Sequence, residues 1–99
     1  MIKHIVMMKL KRDENSDFQK NIHKLETMLN ALKSQIDCIK NFEVGINISD
    51  RPAAYDIVLV SEFDNAEDLS IYRFHPDHTK VVEFIREVVE DSKVIDYQI

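Results

Sequence analysis

The chain has 99 residues, 44% of them hydrophobic and 31% charged, with a formal net charge of −5. That length makes one domain, residues 1–99, with apolar side chains enough for a core. An acidic balance without a Lys/Arg cluster argues against a nucleic-acid partner. Nor does any apolar run approach a membrane span.

The start, MIKHIVMMKLKRDEN, has short apolar patches broken by lysines, which does not fit a secretory signal. Single Cys38 allows no internal disulfide and suits a cytoplasmic location. Residues 2–11 alternate, with Ile2, His4, Val6, Met8 and Leu10 pointing one way and Lys3, Ile5, Met7, Lys9 and Lys11 the other. Period-two alternation predicts a strand. Its second face has lysines at the ends but Ile5 and Met7 in the middle, an odd choice for a face meant for water. Ser16 and Gln19 then form a capping-box spacing, with Asp17 suited to the positive end of a helix. Phe18, Ile22, Leu25, Leu29, Leu32 and Ile36 follow at spacings of four and three, one apolar stripe on a long helix. Core packing explains that stripe; a coiled coil of about three heptads is the alternative.

IKNFEVGINI, residues 39–48, alternates again with Phe42, Val44, Ile46 and Ile48 on one face, and Gly45 inside it hints at a bulge or a close approach. YDIVLVSEF, residues 55–63, places Tyr55, Ile57, Leu59 and Phe63 on one face and Val58 and Val60 on the other. Asp64 or Asn65 caps a short helix through Phe74, and Pro76 opens another running to about Glu90. The acidic run EVVED reads as the solvated end of that helix, and residues 93–99 as a closing strand. Cys38 has no neighbour to lower its pKa and reads as structural.

The predicted order, β-α-β-β-α-β, defines a ferredoxin-like α+β fold with its helices on one face of the sheet. The first and third strands, apolar on both faces, take the central positions. No segment remains to cover the second face, so Ile5, Met7, Val58 and Val60 form an exposed apolar patch, which soluble monomers rarely carry. At ~25 cal/mol per Å², covering such a patch is worth several kcal/mol before association costs. A two-fold homodimer packed sheet to sheet is the expected solution; a monomer with a half-apolar face is the alternative.

The remaining chemistry lies in IYRFHPDHTKVVEF, residues 71–84. With Pro76 at the first helical position, His78 is the third and shares a face with Val81, Val82, Ile85 and Val89. Burial and the helix start both disfavour its imidazolium, so a neutral ring able to take a proton is expected. Tyr72 lies three residues after Leu69, where its phenol could donate to a carbonyl oxygen. His4 shares the helix-covered sheet face with Ile2, Val6 and Met8, so the three rings could meet between sheet and helices. Each has a plainer reading as an amphipathic core residue, and His75, preceding Pro76, as a shaper of the junction. The histidines and Cys38 make no zinc-site spacing, and no metal is assigned.

IKHIVMMKLK, the long helix, YDIVLVSEF, the Tyr72-x-x-His75-Pro76-x-His78 segment and VIDYQI, in that order, resemble the stress-responsive dimeric α/β-barrel (Dabb) family over nearly the whole chain. The resemblance implies dimers whose two sheets close a barrel. Many bacterial members are stress-associated, whereas some plant members are cofactor-independent cyclases that close linear polyketides by aldol chemistry. On that resemblance Tyr72 and His78 match the catalytic pair, His4 and His75 accompany them as ligand-binding residues, and no cofactor is needed. The expected ligand is a small apolar or carbonyl compound. Whether the family fold here carries an enzyme or a non-enzymatic binding module stays open on the sequence.

Overall fold

A computed structural model describes all residues, Met1–Ile99. Seven elements follow in order: β1 (Ile2–Leu10), α1 (Phe18–Gln35), β2 (Asn41–Ile46), β3 (Ile57–Phe63), α2 (Ala66–Phe74), α3 (Pro76–Val88) and β4 (Val89–Gln98). They build the ferredoxin-like α+β fold, with one antiparallel sheet in the order β2-β3-β1-β4. β1 and β3 are central, as their two-sided apolar pattern requires.

Each helix begins where a side chain can satisfy free N–H groups. The cap of α1 is Asp17, which accepts from Lys20 N at 3.1 Å. Ser16 is not the cap, because α1 starts at Phe18 and so puts Asp17 at the cap position; the Ser16 hydroxyl donates to Asp13 at 2.9 Å. Asn65 caps α2 by accepting from Asp68 N. Ile22, Leu25, Leu29 and Leu32 of the predicted stripe are buried against the sheet, with Ile36 just beyond the helix. There they join Met8, Leu10, Ile57, Leu59 and Phe63 in one core.

Several boundaries differ from the sequence reading, β2 among them, which is Asn41–Ile46 rather than residues 39–48. EVVED is only partly helical: Glu87 and Val88 end α3, and Val89 enters β4 with no loop between. The pairing of β4 slips between Lys9 and Leu10 of β1, so Glu90 is the extra residue of a bulge that absorbs the turn from helix into strand. Tyr55 precedes β3 rather than extending it, and its hydroxyl donates to the Asp91 carboxylate at the start of β4. Gly45 marks a close approach without a bulge, since a Cβ there would lie 3.0 Å from Val58 Cγ1.

The helix-free face carries Ile5, Met7, Val58 and Val60 as predicted by alternation, and register adds to them. Ile95 pairs with Ile5 and Tyr97 with Lys3, so both join this face. Met7 is 41% exposed, Ile95 58% and Tyr97 41%. Lys3–Glu62 and Lys93–Asp91 ion pairs, 3.5 and 3.4 Å, stand on the same face. This face thus has an apolar centre with charged neighbours.

At the other end of β1, Asp56 is buried and fully employed. Its carboxylate accepts from Leu10 N at 2.8 Å and from both Arg12 guanidinium nitrogens at 3.2 and 2.7 Å. Arg12 in turn lies 3.9 Å from the ring centre of Phe18, tying the sheet to the first turn of α1.

Candidate functional site

Between sheet and helices lies a cavity of about 200 Å³. Its walls are mostly aliphatic, from Val6 and Met8 of β1, Leu29 of α1, and Val81, Val82 and Ile85 of α3. His4, Tyr72 and His78 all reach it, each from a different element. β1 alternation turns His4 inward; the amphipathic period of α2 buries Tyr72; the Pro76 start sets His78 in the first turn of α3.

Tyr72 is wholly buried, its ring 5.1 Å from that of Phe63 and 4.4 Å from that of His78. Its hydroxyl has no hydrogen-bond partner and is the sole buried side-chain polar atom of which this is true. Burial pushes the phenol well above its ordinary pKa, so it keeps its proton and acts as a donor. An unpaired buried donor costs roughly 1–3 kcal/mol, so this hydroxyl lacks an acceptor that the chain itself does not supply.

His78 is held by its Nδ1, 2.9 Å from the Arg73 carbonyl. A carbonyl only accepts, so Nδ1 bears the proton and the neutral ring keeps its lone pair on Nε2. Burial lowers its pKa below 6.5; the bond to Arg73 opposes that, and the nearby charges of His4, Arg73 and His75 reinforce it. The result is a neutral imidazole against a protonated phenol.

His4 is buried 6.0 Å from Tyr72, ring centre to ring centre, and its Nδ1 is bonded to the Asp96 carboxylate. Sequence reading missed Asp96, which becomes relevant only through its strand pairing opposite His4. The available signal was the two-residue period of VIDYQ, which sets Val94, Asp96 and Gln98 on one face.

His75 stands apart. It does not line the cavity: its Nδ1 accepts from Asp77 N at 3.1 Å and caps α3, while its own N–H ends α2 on the Tyr72 carbonyl. No three His, Cys, Asp or Glu side chains come together as a metal set. The Cys38 thiol, raised in pKa by burial and by Asp68, donates to the Asp68 carbonyl at 3.3 Å. A second hollow, about 260 Å³, indents the helix-free face around Met7, Gly45, Ala54, Tyr55 and Val58. It holds no histidine, so acid–base chemistry points to the first cavity.

A ferredoxin-like sheet, helices on one face, an apolar patch on the other and a Tyr–His cavity between define a small α+β barrel-type domain. The chain belongs to the stress responsive A/B barrel domain family, whose pattern it matches over residues 2–99. An uncharacterized protein from Streptomyces coelicolor is 38% identical over 87 residues, 88% of this chain and 89% of that protein. Among solved structures, a dimeric ferredoxin-like protein of unknown function from Bacteroides fragilis superposes with a TM-score of 0.85 and 30% identity, covering 99% of this chain and 95% of that one. The hydroxynitrile lyase from Passiflora edulis shares the fold with a TM-score of 0.84 at 20% identity, covering 99% and 92% of the two chains.

Proposed function

We propose that the protein is a homodimer that binds a small, largely apolar carbonyl compound in the cavity between sheet and helices. One observation carries this reading: Tyr72, whose buried hydroxyl has no partner in the chain, is among the residues around an apolar cavity. A carbonyl oxygen supplies the missing acceptor, and the aliphatic walls take the rest of the ligand. The dimer is supported by the apolar patch on the helix-free face and by the dimeric state of the Bacteroides fragilis protein.

Acetophenone serves as a neutral probe. In a protein NMR titration it should shift the methyl signals of Val6, Leu29 and Val81, and Tyr72→Phe should weaken binding at least several-fold. Binding that leaves those methyls unmoved, or is indifferent to Tyr72→Phe, would place the ligand elsewhere.

A second reading, cofactor-independent proton-transfer catalysis, is favoured by the neutral His78 beside Tyr72. His78 Nε2 takes a proton from the carbon next to the carbonyl, and the C–H electron pair moves onto the oxygen, where Tyr72 donates to the enolate. The enolate carbon bonds to a second carbonyl, whose alkoxide recovers the proton from the imidazolium. This is aldol closure of the kind the family resemblance implies, and no group outside the chain is needed. Given a turned-over substrate, His78→Ala should abolish turnover and keep the fold; undiminished turnover would remove His78 as base.

A further inference from the structure

One lining residue of the cavity has no place in that chemistry. Arg73 follows Tyr72 on α2 and is the single permanently charged side chain among those around the cavity. It makes no ion pair with any carboxylate of the chain, although Lys3, Arg12, Lys40 and Lys93 each do. Arg73 is an exposed residue, with Cζ 5.5 Å from the centre of the Phe74 ring, and its charge is felt at His78. One residue along a helix turns about 100°, so the Tyr72 ring is buried at the cavity wall while Arg73 reaches the solvent side. The residues around the cavity therefore include a buried donor, aliphatic side chains and one cation with no carboxylate partner in the chain. A protein of net charge −5 offers an anion little general attraction, so a local guanidinium is what would select one.

We propose that the occupant is a small oxo acid, its carbonyl oxygen on Tyr72 and its carboxylate on Arg73. A guanidinium matches a carboxylate through paired N–H donors. Size narrows the class. An apolar cavity of ~150 Å³ takes a benzene-sized guest, so about 200 Å³ fits a short chain or a single ring. This inference rests on the carbonyl-binding reading above and adds the charged end.

The test compares 4-oxopentanoate with its methyl ester, the same ketone without the charge, by NMR titration of the full chain at neutral pH. The acid should bind about tenfold or more tightly than the ester, in line with a hydrogen-bonded ion pair. Arg73→Gln should erase the preference and Arg73→Lys restore part of it, while Tyr72→Phe weakens both probes. Equal binding of acid and ester to the unmodified protein, or a preference that survives Arg73→Gln, overturns the oxo-acid assignment and leaves the carbonyl reading in place. Failure of both probes to move the Val6, Leu29 and Val81 methyls overturns the two together.

Discussion

Tyr72 and Asp56 are both buried polar residues, and they illustrate opposite solutions. Asp56 has all its hydrogen bonds made inside the protein, two to Arg12 and one to Leu10 N. Asp56→Ala would leave a backbone donor and a guanidinium without their partner and should cost about 2–4 kcal/mol in urea unfolding. Tyr72 has none of its bonds made. Tyr72→Phe removes an unpaired buried hydroxyl, so the ligand-free variant should be as stable as the parent or about 1 kcal/mol more so. A clear loss of stability would show that the hydroxyl already has a partner, and the case for a ligand acceptor would go. Stability gained where binding is lost is the signature of a site kept for use rather than for folding.

The junction of α2 and α3 assigns different tasks to neighbouring histidines. His75 has the extended backbone expected before proline, and its ring caps α3. His75→Ala should cost about 0.5–1 kcal/mol in thermal unfolding, with His75→Asn recovering most of it and probe binding unchanged in both. His78, three residues on, is held neutral. Its folded pKa lies below the unfolded 6.5, so the unfolded chain takes up the proton first as pH falls. His78 therefore costs nothing above pH 6.5, and its destabilising effect grows from there down to the folded pKa. His78→Gln should flatten the loss of stability between pH 7 and that lower value; an unchanged slope would assign the acid sensitivity to other groups. β4 is the element least evident from pattern, since its first residues, Val89–Asp91, look like a helix end until β1 pairs with them.

At the level of the whole molecule, helices shield one sheet face only. Ile5, Met7, Val58 and Val60, with Ile95 and Tyr97 beside them, leave an apolar surface that a second sheet would cover. Light scattering of the unmodified protein should give twice the chain mass of 11.6 kDa, and Met7→Glu with Val58→Glu should return it to one. A chain that is monomeric at micromolar concentration before mutation would remove the dimer. Both substitutions lie on the face away from Tyr72 and His78, so ligand binding that survives dissociation would show each cavity to be complete within one chain.

The architecture was legible because it depends on short-range periodicity. Alternation of two marks β1 and β3 as central, the four-and-three stripe marks α1, and Pro76 marks the break between α2 and α3. The inward placement of His4 followed from the same alternation. The partners of these residues were not legible, because pairing is set by register between segments far apart in the chain. Asp96 meets His4 across 92 positions, and Asp91 meets Tyr55 across 36. Pattern can say which way a side chain points; only the packed sheet and helices decide what it meets there, and hence that His75 spends its ring on a helix cap while Tyr72 is left with a hydroxyl to offer.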